Sequence, residues 1–222
     1  MSEPYSPAQR VSFWRAPFAA VTYREIGYTL ASLPIAIVGF VFALTMFSVG
    51  AVLAVTVLGL PVLAGMPAGA RGLGAAERRR AADKLGLEVA APAPVPAPRA
   101  PGFWSGLRVR LGDAAGWRAV LFQVVMFPWR MVSFVLSTVV LLVGWAVALL
   151  PAYNWVFPHY VGWPGYRVYD FTSGGVHHQY YLTSPLQLAG VSLAGLLIVF
   201  LTPKLVRALT NVDRAAVRGM LG

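Results

Sequence analysis

The chain has 222 residues, 58% of them hydrophobic and only 12% charged, with a formal net charge of +10 and a mean hydropathy of +0.66. Soluble domains average about 45–50% apolar and about a quarter charged residues, so this composition cannot coat a soluble core, and a membrane-embedded chain is expected. The absence of cysteine excludes disulfides, thiolate catalysis, Cys-ligated zinc and iron–sulfur clusters.

The polar start Met1–Ser6 has no basic n-region, apolar h-region or small-residue cleavage site. No signal peptide is expected, and the mature chain is expected to be the whole chain. Residues 1–25 read as a cytoplasmic N-terminus and interfacial segment, with Phe13-Trp14 as an interface anchor. From Ile26 to Ala70 there is no ionisable residue, and this 45-residue run is about twice the roughly 20 residues that one crossing needs. It reads as the first transmembrane hairpin, with helices near Gly27–Val49 and Gly50–Ala70 and a tight turn at Ser48–Gly50.

Residues 71–130 read as a cytoplasmic segment. Ala75–Leu85 has helical composition and a basic cluster, Glu77-Arg78-Arg79-Arg80, of the kind that meets anionic headgroups. The alternating prolines of Ala91–Pro98 suit a semi-rigid polyproline II linker, a ligand for an SH3-like partner being the alternative. Phe103-Trp104 is a further interface anchor. Residues 131–205 hold the second transmembrane hairpin, with apolar runs at Met131–Pro151 and Leu186–Leu205 and an outer insertion at about 152–185. Residues 206–222 read as a cytoplasmic C-terminal helix. The four runs are apolar all round, as membrane spans are and surface helices of soluble proteins are not. Apart from Lys204 at the end of the fourth, they carry no Asp, Glu, Lys, Arg or His, which disfavours transport or proton relay.

Seventeen of the 18 Lys and Arg residues lie before the first span, between the second and third, or at and after the end of the fourth; only Arg167 lies in the insertion. By the positive-inside rule both termini and the central segment are cytoplasmic. The expected location is the cell (plasma) membrane, multi-pass, and the basic charge needs no nucleic-acid partner.

The chain also repeats itself. A shift of 94 pairs Arg24, Pro34, Phe40, Gly50 and Ala54 with Arg118, Pro128, Phe134, Gly144 and Ala148. A shift of 136 pairs Gly59, Pro67, Arg71, Glu77, Arg78 and Leu85-Gly86 with Gly195, Pro203, Arg207, Asp213, Arg214 and Leu221-Gly222. Each copy is a helical hairpin running in, out, in, so parallel repeats about an axis along the membrane normal are expected, with an insertion in the second copy. Pro34 and Pro128 either bend an interfacial helix into its span or kink a continuous one.

The insertion gathers His159, His177 and His178, six of the nine tyrosines, and the pair Arg167 and Asp170. Tyr166–Phe171 and Val176–Leu182 flank Ser173-Gly174-Gly175 and read as an aromatic β-hairpin. His177 and His178 then face opposite sides, which works against a shared metal. Interfacial packing of the aromatics, metal binding and acid sensing by the histidines stay open as roles.

The residues resemble the sensor domain found at the N-terminus of actinobacterial sensor histidine kinases and in stand-alone membrane proteins. The resemblance is carried by Arg15–Phe18, Tyr23–Glu25, Leu33-Pro34, Gly39-Phe40, Leu58–Pro61, Arg71–Leu73, Glu77-Arg78, Phe103-Trp104, Trp117-Arg118, Phe127-Pro128, Asp213-Arg214 and Leu221-Gly222. It implies a four-helix membrane domain that passes a signal to a kinase module, and it brings no catalytic residues. The sequence stops at Gly222 without room for a phosphoacceptor helix or ATP-binding domain, so a stand-alone member is expected.

The expected fold is therefore an all-α membrane protein, four transmembrane helices in two repeated hairpins with a small extracytoplasmic β-hairpin. The expected function is a non-enzymatic sensor or signal relay without cofactor or metal, working in the lipid bilayer with a separate cytoplasmic or membrane signalling protein. No HExxH, GxSxG or buried carboxylate pair points to an intramembrane enzyme. A small transporter or an accessory subunit of one is the alternative, supported by the repeat. Candidate signal-receiving residues are His159, Tyr166, Arg167, Asp170, His177 and His178. Candidate output or lipid-headgroup residues are Arg71, Arg78, Arg79, Arg80, Arg207 and Arg214.

Overall fold

A computed structural model describes residues 20–98 and 101–222. Arg10, the Phe13-Trp14 anchor, the Arg15–Phe18 motif and Arg99 lie outside the described residues. Helix α1 spans Ala20–Leu53, α2 Gly59–Leu85, α3 Phe103–Leu111 and α4 Ala114–Ala148. A short α5 (Leu150–Tyr153) and a π-helical turn (Phe157–Val161) lead to strands β1 (Tyr166–Ser173) and β2 (Val176–Leu182), and α6 covers Pro185–Leu221.

Three of these helices, α1 from Tyr23, α4 and α6, are long and apolar enough to cross a bilayer, which marks a membrane protein. Large apolar side chains such as Val38, Val41, Leu44 and Phe47 on α1 and Val139, Leu142 and Trp145 on α4 are exposed at successive positions around the helix. Water would penalise such faces, whereas lipid accepts them. The second apolar run behaves differently from the expected Gly50–Ala70 helix. The turn falls at residues 54–58, where the Thr56 hydroxyl donates to the Leu53 carbonyl, and not at Ser48–Gly50. That leaves only Gly59–Ala70 as the apolar part of α2, about 18 Å at 1.5 Å per residue, followed directly by Arg71.

The reason the turn moved is close packing of glycines. Gly50 has no room for a Cβ, which would stand 2.5 Å from Leu63, so it sits inside the hairpin rather than at its tip. A Cβ on Gly59 would stand 2.3 Å from the backbone of Leu53 and Ala54. In the second hairpin a Cβ on Gly144 would stand 3.1 Å from Val199, and one on Gly195 2.3 Å from the backbone of Ala148. Small residues let antiparallel helices approach where apolar burial gives no drive.

Pro34, Pro67, Pro128 and Pro203 all lie inside helices, so each proline-containing segment is continuous rather than an interfacial helix joined to a separate span. The basic stretch Ala75–Leu85 is the end of α2, closed by Gly86 in the left-handed region (φ 61°), whose N–H bonds back to Ala82. Ser184 and Gln187 form a capping box with Pro185 at the start of α6.

Helices α1 and α4 meet with opposite chain sense. Gly39 abuts Gln123, Phe40 stacks on Phe127 at 4.4 Å, and the Tyr28 end of α1 faces Arg130 through shared partners. Parallel side-by-side packing would instead put Phe40 beside its repeat partner Phe134. The hairpins thus overlap through their open ends, where Tyr28, Met66, Ala70, Ala119, Phe122 and Met126 form the core, and their tips point away from one another.

Gly195→Ala is expected to lower stability by about 1–3 kcal/mol, because its Cβ collides with backbone. Gly190→Ala, with nothing within 4 Å, should leave stability unchanged or raise it. Thermal unfolding of the two variants in detergent, against the wild type, measures the contrast.

Candidate functional site

The overlap of the hairpins is built around charge. Arg130, halfway along α4 and 1% exposed, donates from Nη2 and Nη1 to Glu77 of α2 at 2.8 and 3.2 Å and from Nε to Asp213 of α6 at 3.2 Å. Glu77 also accepts from Arg80 at 2.6 Å, and Arg80 reaches the Tyr28 carbonyl at 2.7 Å and the Ser32 hydroxyl at 2.5 Å. Its guanidinium lies 4.2 Å from the centroid of the Tyr28 ring. On the other flank, Glu25 of α1 accepts from Arg207 at 3.4 Å and Arg214 at 3.1 Å, both on α6. All four long helices therefore contribute to an ionic lattice of two clusters, around Arg130 and around Glu25, that meet at the consecutive residues Asp213 and Arg214 of α6.

Burying a guanidinium alone is prohibitive, and each buried charge must find a partner of opposite sign. Here Arg130 is matched by two carboxylates that occupy equivalent positions of the sequence repeat, one from each hairpin. The planar fork of arginine can serve both at once, where the point charge of lysine could not. From Arg130 the buried hydroxyls of Ser133 and Ser137 continue along the same face of α4, with no hydrogen-bond partner among the described residues.

The predicted inner residues divide. Arg80, Arg207 and Arg214, expected to reach headgroups or a partner, turn inward to Glu77 and Glu25, because those carboxylates are buried and need cationic partners. Arg71 forks onto Asp113 at 2.5 and 2.7 Å and donates to the Ala93 carbonyl at 2.9 Å. The Arg71 hydrogen bond holds the Asp113 carboxyl below the usual carboxylate range. Arg78 donates to the Leu221 carbonyl at 3.3 Å, and Arg79 is exposed.

The predicted outer residues divide as well. The β-hairpin pairs Tyr166 with Leu182 and Ser173 with Val176, and Gly174 and Gly175 turn it at φ 58° and 79°. Asp170 forms ion pairs with Arg167 and with His177 Nε2 (3.0 Å for the latter), and Arg167 lies 4.1 Å over Trp163. His178 stacks on Phe171 on the opposite face. His159 sits in the π-helical turn against Tyr160, and Tyr166 meets Phe157 edge-on. Arg167, Asp170 and His177 are thus brought together, while His159 and His178 are apart from them. Among the described residues no group of three or more His, Asp or Glu side chains could hold a metal ion.

The sequence reading missed Glu25, Glu77, Arg130 and Asp213 as a site. Arg130 was placed just outside the span beginning at Met131, whereas it lies inside the continuous helix Ala114–Ala148 that is long enough to cross. The available signal was the repeat pair Glu77 and Asp213, acidic residues kept within otherwise basic segments.

The fold and the lattice define a class: a membrane protein of two helical hairpins locked at their open ends by buried charge. The family model described as "Putative sensor" matches residues 28–221, and the chain belongs to that family. No curated protein and no solved structure matches it.

Arg130→Met leaves two buried carboxylates without their main partner and is expected to cost about 3–5 kcal/mol. Adding Glu77→Gln and Asp213→Asn removes the stranded charges and should recover the larger part. Unfolding in detergent across the single and triple variants tests this; a triple variant no more stable than the single one would assign the loss to packing of the arginine stem.

Proposed function

We propose that the chain is a non-enzymatic membrane sensor or signal relay, in which the outer insertion receives a signal and the ends of α2 and α6 deliver it to a separate signalling protein. The observation that carries this reading is that Arg130, on the helix that leads into the insertion, is bonded to a carboxylate of each hairpin. Helix α4 packs most extensively against α6, so hairpin two moves with the insertion as a unit. Any displacement relative to hairpin one must redistribute Arg130 between Glu77 and Asp213. That is a two-state element of the kind a relay requires. A two-component partner is the natural output for a domain of this family.

The repeat supports a relay with two comparable halves. Helix α1 begins 94 residues before α4, and α2 ends 136 residues before α6. The glycine contacts at 59 and 195, and those at 50 and 144, fall on equivalent partners under the same two shifts. We place both termini and the central segment in the cytoplasm and all four long helices in the cell membrane, with the hairpins leaning outward from an inner apex. The opposite chain sense of α1 and α4 in the overlap then reflects a steep tilt.

A small transporter or accessory subunit is the second reading, favoured by the Arg130, Ser133, Ser137 stripe. Against it, the stripe ends at Gly144, which is closed by Ile198 and Val199.

Single cysteines at Thr56, Ala93 and Ser173 of this cysteine-free chain test the placement. In intact cells an impermeant maleimide should label positions 56 and 173 and leave 93 unlabelled. Labelling at 173 without 56 would leave hairpin one short of the outer face, and labelling at 93 would invert the topology.

For function, Tyr153–Ser184 is replaced by a short Gly-Ser turn, and both membrane abundance and association with a partner crosslinked from native membranes are measured. Normal abundance with an association that no longer responds to stimulus is expected. Lost abundance would make the aromatic hairpin a structural cap, and an unchanged response would remove it from the relay.

A further inference from the structure

Outside the lattice, a cavity of about 1290 Å³ lies between α2, α3, the start of α4 and the end of α6, covered by the proline-rich linker. Four arginines line it, Arg71 and Arg78 from α2, Arg108 from α3 and Arg118 from α4, against one side-chain carboxylate, Asp113. Arg71 already neutralises Asp113 in a two-pronged ion pair. Arg78 is held only by a backbone carbonyl. Neither Arg108 nor Arg118 has a carboxylate partner among the described residues, and both are exposed.

Three guanidinium groups facing one space, without matching negative charge, repel one another. Burial, and then the charges of Arg71 and Arg79, push the Arg78 guanidinium below its ordinary value. A single carboxylate would satisfy one fork. A phosphate group offers three or more acceptor oxygens and delocalised charge, and arginine forks bind it in two-pronged fashion. The setting matches a bilayer surface, since Phe103 and Trp104 at the start of α3 are exposed beside the cavity and Trp104 lines it.

We propose that this cavity is a binding site for a phosphate-bearing anion, held by Arg78, Arg108 and Arg118, with Trp104 at its mouth. A lipid headgroup and a small soluble phosphate compound share this chemistry. The site adjoins the ends of α2 and α6, but the proposal does not rest on the relay reading, since its ligand touches neither the outer insertion nor Arg130.

The full chain in detergent is equilibrated with equal phosphatidylglycerol and phosphatidylcholine and examined by native mass spectrometry. Thermal unfolding with and without inorganic pyrophosphate is measured in parallel. The wild type should retain phosphatidylglycerol over phosphatidylcholine roughly tenfold, and R108Q/R118Q should bring that preference close to parity on removal of two of the three forks. R110Q, on the same short helix but outside the cavity, should retain it. A preference absent from the lipid arm but present as pyrophosphate stabilisation, and abolished in R108Q/R118Q, would assign the site to the soluble source. If R110Q loses as much as the double variant, or neither probe separates wild type from the double variant, the site does not exist. All three arginines are exposed, so unliganded unfolding temperatures should agree and exclude misfolding as the cause.

Discussion

Everything in this molecule is arranged around one buried cation. A guanidinium inside the fold needs its charge met and its donors satisfied, and Arg130 achieves both only where Glu77 and Asp213 converge. Those carboxylates lie on different hairpins, so the electrostatic requirement of a single side chain fixes how the two hairpins dock. Apolar burial alone specifies this poorly, because lipid solvates the outer faces of α1, α4 and α6 as well as a neighbouring helix would. Packing within each hairpin rests on glycine, and docking between hairpins adds the buried charges to an apolar core around Phe122 and Met126.

This division of labour explains which features were legible in the sequence. The long apolar runs, the basic asymmetry and the β-hairpin follow from composition and period, and α1, α4, α6 and the strands lie close to where those patterns put them. The turn of hairpin one was misplaced because Ser48–Gly50 has turn composition, while the actual turn, residues 54–58, is made of Ala, Val, Thr and Leu and is selected by the close approach of Gly59 to Leu53. Residue chemistry alone does not distinguish a glycine in a turn from a glycine under a helix.

The ionic lattice was less visible for a different reason. Arg80, Arg207 and Arg214 look like surface cations in a basic juxtamembrane stretch, and nothing local says that Glu25 and Glu77 will be buried. Only the repeat registers it, through the acidic residues at 77 and 213, and that becomes an interaction once three-dimensional packing brings Arg130 between them. The resemblance stated from scattered Pro, Gly, Arg and Trp positions was sound, since residues 28–221 match the family. Several of those positions, Pro34, Gly39, Glu77 and Asp213 among them, are ones where a helix carries its proline, a glycine packs or a charge is locked.

The two hairpins are not equally tall. Helix α6 has 37 residues and α2 has 27, and both end at the same point of the repeat, so the missing ten residues are all at the tip of hairpin one. At 1.5 Å per residue this is about 15 Å. Helix α6 therefore reaches past the level at which α2 begins, and hairpin two extends farther from Arg130 than hairpin one does. Because the hairpins are joined at Arg130, a change in tilt of one is borne by the bonds to Glu77 and Asp213.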